Sequence, residues 1–137
     1  MVIYMIYNDK SIKSVKVNAD YIIRKNSRDT IIEVFFDDKR IAFCISDDKL
    51  DPRNIKIGDT IDLKKHIYWD VEVITKDTYY LFDLTKDIIN LKRVDDNLFN
   101  IDVRIENPDM IYTPDTINKG FKNLIINSDF SFNFDDK

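Results

Sequence analysis

Short runs of β-branched and aromatic residues, many of them alternating with polar residues, recur along the chain. They are separated by clusters rich in Asp, Asn and Ser, which are turn-forming residues. A two-residue period interrupted by turns every eight to twelve residues or so is typical of β-sandwiches and β-barrels. The pattern predicts strands at 2–7, 12–17, 20–26, 30–37, 40–46, 55–63, 67–75, 78–84, 88–94, 98–106, 121–127 and 130–134.

These strands predict a single all-β domain over residues 1–137. We expect a mostly antiparallel sandwich or closed barrel of about 10–12 strands. One short helix is predicted near 114–119, where Thr113 is a suitable N-cap, Pro114 takes the first helical position and Gly120 follows the last turn. No other segment has a helical pattern.

Within residues 67–106, three short polar turns separate four candidate strands. The turns are Lys76-Asp77, Lys86-Asp87 and Asp95-Asp96-Asn97. Turns this short set the register of the strands that they join, and the register decides which side chains share a face. The segment therefore predicts a β-meander, with these opposed pairs: Val73 and Tyr80, Val71 and Phe82, Phe82 and Leu91, Leu91 and Ile101, Ile89 and Val103, Arg93 and Phe99.

The opposite face of this predicted meander carries an acidic row formed by Asp70, Asp83, Asn90 and Asp102. Like charges that face each other across a strand pair are destabilising. Lys92 on the same face, a bound cation or a basic partner would relieve the repulsion. The simplest interpretation is the solvent-facing side of an antiparallel sheet. The alternative is a binding site, and the acidic row is therefore the candidate site.

Composition supports the fold class, since 22 Asp stand against 3 Glu and the chain contains no Gln. Asp favours turns, whereas Glu and Gln favour helices. The single Cys44 excludes an internal disulfide and favours a reducing compartment. The N-terminus lacks the basic segment of a signal peptide, and no apolar run approaches the ~20 residues that span a bilayer. We therefore expect a cytoplasmic protein without membrane contact.

Sequence motifs for catalysis or cofactor binding are absent. His66 is the only histidine, and neither it nor Cys44 lies in a hydrolase signature. The chain has no zinc-ligand spacing, EF-hand loop or glycine-rich phosphate loop, so we predict no metal and no cofactor. Paired aspartates in the turns still leave calcium binding open. A net charge of −4 disfavours nucleic acid as a partner.

The sequence thus predicts a non-catalytic acidic module that binds another protein. Inhibitors, immunity or counter-defence proteins and accessory parts of larger assemblies belong to this class, and the AT-rich codon bias implied by the composition points to a phage or mobile element. One alternative is a small-ligand-binding barrel with Trp69, Tyr80, Phe82 and Phe99 lining its cavity. The other is a divalent-metal enzyme that uses the acidic row. The oligomeric state is not predicted.

Overall fold

Two β-sheets pack around one hydrophobic core in the computed structural model, which describes residues 3–66, 70–73, 78–81, 86–106, 109–112 and 122–135. The strands are β1 (Ile3–Tyr7), β2 (Lys10–Ser11), β3 (Val15–Ile23), β4 (Arg28–Phe36), β5 (Lys39–Ser46), β6 (Thr60–Asp62), β7 (Asp70–Val73), β8 (Thr78–Leu81), β9 (Ile88–Asp95), β10 (Leu98–Glu106), β11 (Asp109–Tyr112), β12 (Asn123–Phe130) and β13 (Phe132–Asp135). Single-turn 3-10 helices occupy Pro52–Asn54 and Leu63–Lys65.

Among the described residues, the smaller sheet has six strands, in the order β2-β1-β12-β10-β9-β6, and the larger sheet has seven, in the order β11-β8-β7-β5-β4-β3-β13. Neighbouring strands run antiparallel, except that β13 lies parallel to β3. The all-β prediction is confirmed, and of its two architectures the sandwich is the correct one, because the sheets do not close into a barrel.

The core forms between the inward-facing side chains of the two sheets. Ile32, Val34 and Phe36 alternate along β4 with less buried residues and are almost completely inaccessible to solvent. The Tyr7 ring of the smaller sheet lies 5.0 Å from the Phe36 ring of the larger sheet, so the two layers meet directly. Removing this apolar surface from water is the main favourable contribution to folding, at roughly 25 cal/mol per Å².

The predicted meander over 67–106 is wrong, because its strands belong to different sheets. Strands β7 and β8 pair with each other in the larger sheet, and β9 and β10 pair in the smaller sheet. The two edges of β8 are taken by β7 and β11, and those of β9 by β10 and β6. Alternation shows that a strand has one apolar face, but it does not show which strand lies beside it.

Register was predicted correctly for one hairpin and incorrectly for the other. Leu91 faces Ile101, Ile89 faces Val103 and Arg93 faces Phe99 across β9 and β10, as predicted. In the larger sheet Val71 faces Tyr80, so the pairing is displaced by two residues from the predicted one. Strand β11 was not predicted, and the predicted helix near 114–119 lies outside the described residues.

The C-terminal segment changes sheets at Ser131, where the sequence predicted one strand over 130–134. Phe130 ends β12 in the smaller sheet, and Phe132 begins β13 in the larger sheet. Asn97 holds this corner, because its backbone carbonyl accepts a 2.7 Å hydrogen bond from Ser131 Oγ. Its side chain also donates to the carbonyl of Phe132 at 3.2 Å. The switch brings both phenylalanines into the shared core.

Candidate functional site

The structure places the described residues of the predicted acidic row in two different sheets. Asp70 lies on β7 in the larger sheet, where it faces Leu81. Asn90 and Asp102 face each other on β9 and β10 in the smaller sheet. Asp83 lies outside the described residues. The continuous row is therefore wrong, because β7 and β9 lie in different sheets, but the Asn90–Asp102 pair is confirmed.

A polar row does cross the smaller sheet, with different members from those predicted. Its successive positions on β1, β12, β10, β9 and β6 are Tyr4, Asn127, Asp102, Asn90 and Asp62. The adjacent row on the same face consists of Asp129, Asn100, Lys92 and Thr60. Sequence reasoning missed Asp62 and Asn127 because their strands join this sheet through long-range pairing that no turn specifies.

Asn100 links the two polar rows by hydrogen bonds. Its Nδ2 donates to Asn127 Oδ1 at 2.9 Å and to Asp129 Oδ1 at 2.8 Å. All three side chains are half-buried, which lowers the local dielectric and strengthens these bonds. The network holds the side chains in one arrangement, so a partner would not have to order them on binding.

Asp102 is incompletely satisfied within this network. Its Oδ1 atom is buried and accepts no hydrogen bond from the described residues, although the side chain as a whole is 31% exposed. The Nε of Arg104 lies 3.6 Å from this oxygen, which is within ion-pair range but beyond hydrogen-bonding distance. A buried acceptor that receives no hydrogen bond costs free energy, and the ion pair with Arg104 offsets part of this cost.

Apolar side chains stand beside the polar rows. Tyr4 is 47% exposed, Ile88 is 37% exposed and Val94 is 39% exposed, and all three point away from the core. They are three of the five large apolar residues that are exposed in the described part of the chain. Ile6 and Ile125, which face each other between β1 and β12, are half-buried. We call this surface, with its two polar rows and these apolar residues, the outer face.

The outer face has more acidic than basic groups. Its polar rows carry the carboxylates of Asp62, Asp102 and Asp129 and the cation of Lys92, and Arg104 and Glu106 lie on the same side of β10. Groups of three or more His, Cys, Asp or Glu side chains suited to a metal ion do not occur among the described residues. The arrangement offers oriented acceptors and apolar area, which together suit a contact surface.

Phe99 is the one residue of the predicted ligand-binding cavity whose side chain the structure describes. Phe99 has no exposed surface, and its ring packs 4.9 Å from that of Phe132 inside the core. Tyr80 belongs to the larger sheet, whereas Phe99 belongs to the smaller one. Trp69 and Phe82 lie outside the described residues. Phe99 therefore has a structural role in the core.

His66 and Asp47 form a pair that the sequence did not predict. The Nδ1 atom of His66 lies 2.6 Å from Asp47 Oδ2 and joins the turn after β5 to the end of the 3-10 helix Leu63–Lys65. This hydrogen bond holds the pKa of Asp47 below its usual range, and the backbone N–H of Lys49 acts in the same direction. The charged carboxylate therefore orients the imidazole ring.

Arg53 connects its own 3-10 helix, Pro52–Asn54, to the larger sheet. Its guanidinium carbon lies 5.4 Å from the centre of the Tyr21 ring and 4.9 Å from that of Phe134. The same group donates to both carboxylate oxygens of Asp51, at 3.1 and 3.0 Å. Burial by itself raises the pKa of Asp51, but the hydrogen bonds from the Arg53 side chain and backbone outweigh it and hold the pKa below its ordinary value.

We expect Asp51 to make the free energy of unfolding depend on pH. Because its pKa is lower in the folded state, its contribution is fully present above the unfolded-state pKa of about 3.9 and is lost as the pH falls through the folded pKa. Urea unfolding of the wild type should lose more stability below about pH 5 than that of Asp51→Asn. When Arg53→Met is present in both proteins, the difference in pH dependence between chains with and without Asp51→Asn should become smaller, because the guanidinium that lowers the Asp51 pKa is gone. An equal difference with and without Arg53→Met would contradict this interpretation.

Comparison with known proteins returns no relative for this sandwich. No protein-family model matches the chain, and neither the curated proteins nor the solved structures include a significant match. No helix in the described part of the chain has the length and apolar character required to cross a bilayer.

Proposed function

We propose that the protein is a non-catalytic acidic module that binds a partner protein through the outer face of the smaller sheet. The observation that carries the proposal is the hydrogen-bonded network of Asn and Asp side chains on this face, with exposed Tyr4, Ile88 and Val94 distributed around it. Aromatic and aliphatic area combined with oriented polar groups is characteristic of protein interfaces.

The charge of the outer face indicates the kind of partner that it would bind. Excess carboxylate on this surface favours a partner with Lys or Arg side chains, which would steer association and improve specificity. Inhibitors, immunity or counter-defence proteins and accessory subunits all act through a preformed surface of this kind. The single Cys44 supports a reducing compartment, and we propose the cytoplasm.

Charge reversal on the outer face tests the proposal. The partner is first identified by cross-linking and mass spectrometry with the wild-type chain, and its dissociation constant is then measured with purified proteins. Asp102→Lys combined with Asp129→Lys should weaken binding by at least about tenfold, or 1.4 kcal/mol, because it repels a cationic partner. Tyr4→Ser combined with Ile88→Ser should weaken binding without touching the hydrogen-bonded network.

The larger sheet supplies matched controls. Asp20 is a half-buried carboxylate on that sheet and accepts hydrogen bonds from Asn18 and Asn133, much as Asp129 accepts one from Asn100. Phe35 is 37% exposed there and matches Ile88. Asp20→Lys and Phe35→Ser should leave the dissociation constant unchanged. If the outer-face variants bind as well as these controls, the outer face is not the interface.

A further inference from the structure

Strand β13 forms one edge of the larger sheet. It pairs in parallel with β3, and no other strand lies beside it among the described residues. An edge strand presents backbone N–H and C=O groups that no strand of its own sheet uses, and these groups can pair with a strand of another molecule. The outer edge of β13 is therefore a possible route to self-association.

The sequence around β13 favours such pairing. Residues 130–134 read Phe-Ser-Phe-Asn-Phe, with three aromatic side chains and no charge, proline or glycine. Short uncharged segments of high β-propensity are the ones that stack into intermolecular sheets, and identical segments stack best on one another. The strand that this edge would attract is therefore the same strand of a second copy of the chain.

The side chain of Asn97 occupies part of this edge. Its Nδ2 donates to the Phe132 carbonyl at 3.2 Å, and its Oδ1 accepts from the Phe132 N–H at 3.3 Å. The N–H and C=O of one strand residue point to the same side, so both groups of Phe132 point away from β3 and toward the position of the next strand. The carboxamide thus takes the place of the peptide group that a neighbouring strand would supply.

Further contacts hold Asn97 in this position. Its backbone carbonyl accepts a 2.7 Å hydrogen bond from Ser131 Oγ. The guanidinium of Arg93 donates to the carbonyl of Asp96, the preceding residue of the turn, at 2.7 and 3.1 Å. The turn between β9 and β10 is therefore anchored both to its own hairpin and to the strand whose edge it covers.

We propose that Asn97 is an edge-blocking residue that prevents β13 from pairing with β13 of a second copy. Within this four-residue strand, the peptide groups of Phe132 face the open edge, and by alternation those of Phe134 are the next to do so. Asn97 takes the first of these two positions, and a single remaining position does not support a strand pair. The blocked edge belongs to the larger sheet, so this role is independent of partner binding through the outer face.

Removing the carboxamide tests the proposal. In sedimentation equilibrium, Asn97→Ala should self-associate at least about tenfold more tightly than the wild type. Asn97 is not among the described residues with positive φ, so its backbone accepts alanine. Adding Asn133→Lys to this variant should restore wild-type behaviour, because Asn133 is exposed on β13 and a lysine on an edge strand opposes pairing.

Two measurements separate edge pairing from a general loss of stability. Ile32→Val removes one methyl group from a fully buried side chain of β4, which destabilises the core but leaves the β13 edge covered, and it should associate like the wild type. The Phe132 amide should be protected from hydrogen exchange in the wild type and should exchange at least about tenfold faster in Asn97→Ala. Equal association of Asn97→Ala and the wild type, equal association of Asn97→Ala and Ile32→Val, undiminished association after Asn133→Lys is added, or an unprotected Phe132 amide in the wild type would each overturn the proposal.

Discussion

Replacing Phe99 with alanine should lower the free energy of unfolding by about 3–5 kcal/mol. Phe99 has no exposed surface, and its ring contacts those of Phe130 and Phe132 at centroid distances of 6.2 and 4.9 Å. Phe130 and Phe132 lie on either side of the corner where the chain changes sheets. The substitution therefore leaves a cavity at the junction of the two layers, where neighbouring backbone cannot collapse into it.

Urea unfolding monitored by circular dichroism measures this effect, with the slope of the transition checked for two-state behaviour. Phe35→Ala is the matched control, because it removes the same atoms from a side chain that is 37% exposed on the larger sheet. The control should cost less than about 1 kcal/mol. A loss below about 1.5 kcal/mol for Phe99→Ala, or equal losses for both variants, would show that the aromatic cluster does not join the sheets.

Replacing Arg93 with methionine should cost about 2–4 kcal/mol. Arg93 occupies an inward-facing position of β9, and its side chain is only 13% exposed. The guanidinium donates to the carbonyls of Arg53 and Ile55 at 2.9 Å each and to the carbonyl of Asp96 at 2.7 and 3.1 Å. Its carbon also lies 5.9 Å from the centre of the Phe99 ring.

The cost arises because methionine keeps much of the packing but leaves these carbonyls without a donor. Arg104→Met is the control, since the Arg104 side chain is 62% exposed and, within the described ranges, forms an ion pair with Asp102 alone, across 3.6 Å. That variant should change the unfolding free energy by less than about 0.5 kcal/mol. Equal unfolding midpoints for the two variants would show that Arg93 does not fasten the segment 53–55 to β9.

Unfolding measurements of this kind are also the control for the partner-binding experiments. Phe99 and Arg93 lie at one end of the sandwich and contact each other, so their effects should not be additive. The outer-face side chains Tyr4 and Ile88 are largely solvent-exposed, and their replacement should leave the unfolding free energy within about 0.5 kcal/mol of the wild type. Loss of partner binding in those variants can then be separated from loss of fold.

The candidate site was partly predictable. The hairpin of β9 and β10 is local, so its turn and alternation correctly placed Asn90 opposite Asp102. The remaining neighbours are Asn127, which reaches β10 from the C-terminal segment, and Asp62, which reaches β9 across a long stretch of chain. No short turn specifies these pairings. Asp70 and Asp83 were included in the predicted row only because their strands precede β9 in sequence.

Local physical chemistry, read from the sequence alone, determined the all-β class, the alternation of buried and exposed residues, and the positions of tight turns. Asn8 and Asp9 illustrate the last point, since both lie between the predicted strands 2–7 and 12–17 and have φ of 52° and 66°, a conformation that Asn and Asp tolerate. The β9–β10 register belongs to the same category. Each of these features depends on residues close together in the chain.

Only the tertiary structure decided which strands share a sheet, where the chain crosses between sheets and which polar groups meet. Three contacts join residues far apart in sequence: the corner at Ser131, the His66–Asp47 pair, and the hydrogen bonds from Arg93 to the carbonyls of Arg53 and Ile55. An apolar strand face is satisfied by burial in either layer, so its pattern does not identify the layer. Packing of the whole core selects which strands share a sheet, and this choice also forms the outer face.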